Sequence, residues 1–410
     1  MINNIVFFCP SRITGGQEYL FIRLAEYLLE SQDEYTIYYC DYPDGFSHSR
    51  CLSDKVHYID YKDKDTPIAI PENSIVLVQL NIISQPERFV MEWKNSILIY
   101  WMLHSLNIKD QIYKAGHYWI SKRERRCLGE ELRILTEMGV IKCMAYGSYA
   151  TLVKDFFQKP QVFSWLPNIV PSLANTTIPD FCRLSDDCIK FCWLGRINDE
   201  KALNILTYMN ELEEISKTYK ISLALIGKGP AEEKLKKIVG SYSYPISFLG
   251  EKHGMELDGY LRKETEIGLA SGTSALEFSL RGKPVIMEWV IDKVYSAGVR
   301  DKYIFTHENE QYDYCSGNEL KRLGENFFSF KLKEILNNYS GISKQEYEYA
   351  TKMTPANCAS ILVDSISQIE ERDFKEIELH VRRASSLIQK GRNRILLVHN
   401  IINMLRFNYK

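Results

Sequence analysis

The stretch Glu266-Ile-Gly-Leu-Ala-Ser-Gly-Thr-Ser-Ala-Leu-Glu-Phe-Ser-Leu-Arg-Gly-Lys-Pro-Val-Ile286 constrains the fold more than any other part of the chain. Ile267 to Ala270 is an apolar run of strand length, and Ser271 to Thr273 is a small-residue turn. A helix then starts near Ser274 and stops at Gly282, with Pro284 just beyond, before Val285 to Met287 begins the next strand. Strand, tight turn, helix and strand in immediate succession point to a parallel α/β sheet. Such a turn gathers backbone N–H groups at the positive end of a helix dipole, where a phosphate can sit. Glu277, in the first helical turn, is placed to accept hydrogen bonds from a diol such as ribose. Ser274-Ala-Leu-Glu277 equally fits a capping box, in which serine and glutamate each cap the other's backbone N–H. Glu277→Gln separates the two uses, because glutamine serves a capping box but binds a diol with less charge assistance.

The same pattern recurs on both sides of this stretch. Ile5 to Cys9 is a buried-strand run; Pro10 to Gly16 forms a loop, and Gln17 begins a helix with apolar rows at Leu20, Leu24, Leu28 and at Phe21, Ala25. Gly15 and Gly16 allow either close approach of backbone to a ligand or merely a flexible turn. Further strand runs are Thr36–Tyr39, Val56–Ile59, Ser74–Val78, Ile97–Met102 and Gly139–Ala145. His104 closes the Ile97 run on the side where open α/β sheets hold ligands, although a structural histidine fits there too. Pro171 to Ser185, with two prolines and little periodicity, reads as a linker.

A second series follows. Ile189–Leu194 ends in Gly195-Arg196 with Lys201 shortly after, Ile221–Ile226 in Gly227-Lys-Gly229-Pro230, and Ile246–Leu249 in Gly250-Glu-Lys252. With the opening stretch, four consecutive strands close in glycine-bearing polar turns, as the rim of a ligand crevice would. Lys201 opposes the dipole of the helix it begins, by about 0.3–1 kcal/mol, but with Arg196 it suits a bound diphosphate; two solvated cations are the alternative.

The chain has 410 residues, enough for two or three domains, and its 45% hydrophobic and 25% charged content is that of a globular protein. A net charge of -2 lacks the basic excess of nucleic-acid binders. The 10 cysteines form no Cys-x-x-Cys pair and read as reduced thiols. No apolar run is long enough for a bilayer and the N-terminus lacks a signal-peptide pattern, so a cytoplasmic location is expected. Asp63-Lys-Asp65 has the form of a metal-binding pair but sits in a polar loop. Two basic features remain: Lys122-Arg-Glu-Arg-Arg126, which suits a solvated helix face or phosphorylated groups, and the tail Leu379–Lys410, which has seven Lys or Arg and no Asp or Glu. Ile395, Val398, Ile402 and Leu405 give the tail an apolar stripe, which suits either a membrane interface or docking on the first domain.

Phe7-Phe-Cys-Pro with Gly15-Gly16-Gln-Glu18, Leu166-Pro-Asn168, Leu194-Gly-Arg196 with Lys201, Leu225-Ile-Gly-Lys-Gly-Pro230, Phe248-Leu-Gly250 and Ser271 to Ile286 together resemble glycosyltransferase family 4, in its order, from about Ile5 to Leu362. The resemblance implies the GT-B architecture: α/β, two Rossmann-like domains with parallel sheets facing across a cleft, plus C-terminal helices. It implies residues 1–170 as the acceptor-side domain, 171–188 as linker, 189–345 as the nucleotide-sugar domain, 346–370 as a helix crossing back and 371–410 as an amphipathic extension. It further implies retaining hexosyl transfer from a nucleotide-diphosphate sugar to a hydroxyl of a growing glycan, such as a bacterial surface polysaccharide, with no cofactor and no metal.

Carried over residue by residue, the resemblance makes Arg196, Lys201 and His104 catalytic. It makes Gly15, Gly16, Gly195, Gly227, Gly229, Lys252, Gly272, Thr273, Ser274 and Glu277 donor-binding. One departure stands out: the earlier glutamate that many members carry in the donor loop falls here on Leu269 to Ser271, which hold no carboxylate. Two other classes fit the same architecture. A silent binding partner would bind without turnover, and a nucleotide-sugar epimerase would convert donor without acceptor.

Overall fold

The computed structural model describes residues 2–13, 15–31, 34–49, 54–104, 107–157, 164–170, 178–182, 187–288, 303–311, 327–370 and 373–407. The chain divides into two compact units, the first made of Met1–Ile169 with Pro355–Lys410 and the second of Val170–Thr354.

In unit 1, β1 (Asn4–Phe8), β2 (Thr36–Asp41), β3 (His57–Asp60), β4 (Ser74–Gln79), β5 (Ile97–Met102) and β6 (Ile141–Cys143) form one parallel sheet in the order β6-β5-β4-β1-β2-β3. All six residues of β5 are buried, as a parallel strand covered on both faces requires. Trp101 within it donates Nε1–H to the Leu166 carbonyl at 2.9 Å, so this buried indole leaves no orphaned donor. Helix α1 (Gly16–Ser31) buries Leu20, Phe21, Leu24, Ala25 and Leu28, the two rows expected of it.

Unit 2 repeats the plan. Strands β7 (Ile189–Leu194), β8 (Ile221–Ile226), β9 (Ile246–Gly250), β10 (Ile267–Leu269), β11 (Val285–Glu288) and β12 (Tyr303–Phe305) lie in the order β9-β8-β7-β10-β11-β12. All are parallel except β12, an antiparallel edge strand that the sequence reading did not contain. In both units the order reverses beside the first strand, between β1 and β4 and between β7 and β10. These are the places where open α/β sheets hold ligands beyond the strand C-termini.

The C-terminal part of the chain corrects one expectation. Residues 346–370 do not form one helix: Tyr339–Ala350 ends in unit 2, and Pro355–Ser367 begins anew in unit 1. Pro355 disfavours a helical conformation at Thr354 and is itself suited to a first helical turn, so it marks both the break and the restart. The tail then forms the helix Phe374–Phe407, which packs on unit 1 through Phe374, Ile377, Val381, Ala384 and Ile388, all buried. His380 meets the Glu131 carboxylate at 2.5 Å, Gln389 donates to the Ser84 carbonyl at 2.7 Å, and Arg394 pairs with Glu124 at 2.9 Å. Leu396 and Leu397, past these contacts, are exposed. The side chains of Ile402 and Leu405, and residues 408–410, lie outside the described residues. Among the described residues no helix is long and apolar enough to cross a membrane.

Candidate diphosphate-binding site

The reversal point of unit 2 is built by two turns. After β7 the chain passes through Gly195 and Arg196 into the helix Asp199–Ser216, where the Asn198 side chain accepts the Lys201 N–H at 2.8 Å. After β10 it passes through Ser271 and Gly272 into the helix Thr273–Ser279. Lys201 spans the gap, its Nζ donating to Ser271 Oγ at 2.6 Å. Arg196 is exposed beside it and has no hydrogen bond or ion pair among the described residues. A cation in a first helical turn opposes the dipole. Its long stem here carries the charge away from its own helix to the end of the neighbouring strand.

The Thr273–Ser279 helix has no side-chain cap, because its N-cap is Gly272, at φ 61° and ψ -135°. That left-handed backbone turns the chain before Thr273, so Ser274 lies inside the helix and the capping-box reading fails. Glu277 is 7% exposed and makes a different bond: Arg281 Nη1 donates to Glu277 Oε2 at 2.8 Å and to the Glu277 carbonyl at 2.7 Å. Arg281 Nε in turn donates to Asp258 Oδ1 at 2.9 Å, from the helix Gly254–Lys263. Neither Arg281 nor Asp258 was singled out from sequence, although Arg281 stands four residues after Glu277, the spacing at which helical side chains meet.

The turns after β8 and β9 complete this edge through backbone contacts. Gly227 N–H donates to the Gly250 carbonyl at 2.8 Å, and Ile197 N–H donates to the Lys228 carbonyl at 2.9 Å. Gly227 has φ 138°, and a Cβ there would stand 2.0 Å from the Gly195 carbonyl oxygen; at Gly229 it would stand 2.4 Å from the Ile197 carbonyl oxygen. Glycine at both positions is thus required by turn-on-turn packing. Lys252 Nζ pairs with Glu256 and lies 5.8 Å from the centre of the Tyr260 ring.

Unit 1 holds the remaining predicted residues. Gly15 and Gly16 follow β1 at its own reversal point, with Gly16 opening α1. His104 is an exposed turn residue after β5, whose N–H donates to Asn107 Oδ1 at 3.1 Å. Beside the glycine loop, burial first and then the Glu18 charge raise the Cys9 thiol far above its ordinary range, which leaves it protonated and unreactive. Asp63 accepts hydrogen bonds from the backbone N–H groups of Asp65 and Thr66 and from the Thr66 hydroxyl, all within its own loop. Among the described residues no cluster of His, Cys, Asp and Glu could hold a metal ion.

No protein-family model and no curated protein sequence matches the chain. Solved structures do. A glycosyltransferase from Rickettsia africae ESF-5 is 12% identical with a TM-score of 0.57, over 92% of this chain and 98% of that one. The N-terminal domain of Candida albicans trehalose-6-phosphate phosphatase is 12% identical with a TM-score of 0.53, over 90% and 97%. The lipopolysaccharide outer core galactosyltransferase WaaB is 12% identical with a TM-score of 0.53, over 89% and 99%. At such identity the likeness is one of fold: the chain has the GT-B fold, α/β with two Rossmann-like units and C-terminal helices.

Proposed function

We propose that this chain is a glycosyltransferase that moves a sugar from a nucleotide-diphosphate sugar to a hydroxyl of a glycan acceptor. The observation that carries the reading is the Lys201–Ser271 bond across the reversal point of unit 2, with Arg196 exposed beside it. Departure of a nucleoside diphosphate builds negative charge on its oxygens. Arg196, Lys201 and the uncapped N–H groups of Gly272, Thr273 and Ser274 are donors suited to stabilise that charge without a metal ion. Glu277 accepts from the ribose hydroxyls, and the turns bearing Gly195, Gly227, Gly229 and Lys252 flank the base. Gly15, Gly16 and His104 of unit 1 serve the sugar and the acceptor.

Retention of anomeric configuration follows the family 4 resemblance, and the fold shared with a lipopolysaccharide galactosyltransferase supports a surface polysaccharide as product. A cytoplasmic enzyme meeting such an acceptor at the membrane has a suitable contact in the C-terminal helix, where exposed Leu396 and Leu397 follow Arg392 and Arg394. A second reading, a nucleotide-binding partner without turnover, is favoured by one observation: Leu269 to Ser271 offer no carboxylate to the transferred sugar.

The test is calorimetric titration of UDP, GDP, ADP and dTDP, without added metal, into the wild type and Lys201→Met. Glu277→Gln is a poorer probe than its sequence context implies, because it removes a charge partner from buried Arg281 and so disturbs stability as well. One diphosphate should bind, and the methionine variant should bind it at least tenfold more weakly, about 1.4 kcal/mol. Absence of binding to folded wild type, or equal binding by the variant, overturns the site. Binding without transfer to any glycan acceptor would select the second reading.

A further inference from the structure

Arg281 is nearly sealed, with 2% of its side chain exposed, yet its guanidinium makes bonds in two directions. Toward the helix that precedes it, Nη1 holds both the carbonyl and the carboxylate of Glu277. The carbonyl bond satisfies an acceptor near the helix C-terminus, where acceptors lack intrahelical donors. The carboxylate bond fixes one oxygen of Glu277 and so selects one rotamer of a side chain that otherwise has three torsions to vary. Toward the neighbouring helix, Nε donates to Asp258 Oδ1, and Asp258 is held from its other side by Arg262 Nε at 3.0 Å. Asp258 therefore anchors a guanidinium whose remaining reach is directed at Glu277.

The order along this chain of contacts is Arg262, Asp258, Arg281, Glu277, and only the last stands on the helix that follows the Ser271–Gly272 turn. A capping role for Glu277 would need no such support. A ligand role gains from it, because a carboxylate whose orientation is fixed beforehand accepts both hydroxyls of a diol at a lower cost in side-chain entropy.

We infer that Arg281 and Asp258 are positioning residues that fix the Glu277 carboxylate for a ribose diol and so set the preference for ribonucleoside over 2′-deoxyribonucleoside diphosphates. The inference rests on the proposed donor site. Lysine at 281 reaches Glu277 as a point charge but lacks the planar fork that serves Asp258 and Glu277 together, so it restores the pairing without the orientation.

The experiment measures affinities for matched pairs (UDP with 2′-deoxy-UDP, GDP with 2′-deoxy-GDP, ADP with 2′-deoxy-ADP) by calorimetry on full-length wild type, Arg281→Met, Arg281→Lys and Asp258→Asn. Wild type should prefer the ribose form of its nucleotide at least tenfold. Arg281→Met and Asp258→Asn should bring that preference below threefold, with Arg281→Lys between them and wild type. A structural role alone would lower thermal stability and leave the ratio of the two affinities unchanged. If Arg281→Met does not fold, Asp258→Asn decides, since Asp258 is partly exposed. Wild-type preference retained in folded variants overturns the inference and leaves the donor site standing. Ribose and deoxyribose forms bound equally by wild type overturn it through Glu277, and no binding of any nucleotide to wild type removes the donor site with it.

Discussion

Lys142 is a charge that the fold of unit 1 holds at a loss, and replacing it should stabilise the protein in a pH-dependent way. The residue lies in β6, 6% exposed, with Nζ donating to Ser365 Oγ at 2.7 Å from the helix Pro355–Ser367. Burial pushes its ammonium from 10.5 down to about 8, opposed only by Cys143. At 1.36 kcal/mol per tenfold change in proton affinity, this is a destabilisation of about 3 kcal/mol while the amine is charged in both folded and unfolded chains. Below pH 8 both states are protonated and the full penalty applies. Between pH 8 and 10.5 the unfolded chain binds more protons than the folded one, so stability rises with pH. Above 10.5 both are neutral and the penalty is gone.

Lys142→Met keeps the apolar stem and forfeits one hydrogen bond, about 1 kcal/mol, while Ser365 Oγ still donates to the Ile361 carbonyl at 2.6 Å. The variant should therefore be about 2 kcal/mol more stable than wild type at pH 7, a rise of roughly 4–8 °C in the melting point of unit 1. Toward pH 10.5 the difference should shrink and change sign to about -1 kcal/mol. Urea titrations followed by tryptophan fluorescence at pH 7, 8, 9 and 10 measure this directly. A gain that is the same at pH 7 and pH 10, or a loss at pH 7, would refute a buried, penalised ammonium.

Gly227→Ala should lower the thermal midpoint of unit 2 far more than Gly272→Ala, because the first adds a methyl 2.0 Å from the Gly195 carbonyl oxygen whereas nothing lies within 4 Å of the second. Overpacking and left-handed backbone strain together put Gly227→Ala at about 2–5 kcal/mol and Gly272→Ala at about 1–2 kcal/mol; equal losses in differential scanning calorimetry would contradict the turn-on-turn packing. Deleting residues 373–410 should unfold unit 1 by uncovering the surface beneath Phe374, Ile377, Val381, Ala384 and Ile388, whereas a chain ending at Ile395, which keeps that row and the Arg394–Glu124 pair but loses Leu396 and Leu397, should melt like the full-length protein. If that shorter chain also binds anionic liposomes as well as the full-length protein, the exposed end of the helix is not a membrane contact.

The sheets were legible because buried parallel strands are continuous apolar runs. Ile97–Met102, Ile189–Leu194 and Ile221–Ile226 have the bounds that their composition predicts. Strand β12 was not, being a three-residue antiparallel edge whose partner is chosen by tertiary packing. In the tail Leu379–Lys410 the sequence shows an apolar stripe only from Ile395 onward, where hydrophobic density is highest. The row that docks the C-terminal helix begins at Phe374, is spaced three and four residues apart, and includes a small Ala384 that adds little apolar signal. At the candidate site the sequence showed which polar residues close each strand, but not that two of the glycines face other turns. Close approach to backbone and close approach to a ligand select the same residue, and only the folded arrangement of the turns tells them apart.

The two reversal points share a strand order but differ in how their charges are used, and that difference bears on which unit takes the anion. In unit 1, beyond β1 and its neighbour β2 on the side away from the reversal point, the charges are bound inward. Asp41 accepts from the Ser11, Tyr42 and Ser47 backbone N–H groups and from the Ser47 hydroxyl, and Arg12 pairs with Asp44 while lying 3.8 Å over the Tyr42 ring. Beyond β7 and β10, Lys201 stands where the helix dipole disfavours it and reaches a hydroxyl, and Arg196 is exposed. A residue placed against the electrostatic preference of its own helix is what a binding site leaves in a sequence. Lys201→Glu restores that preference: it suits the first helical turn, so it should raise stability by a few tenths of a kcal/mol while abolishing diphosphate binding. A variant that loses stability along with binding would show that Lys201 serves the fold rather than an anion.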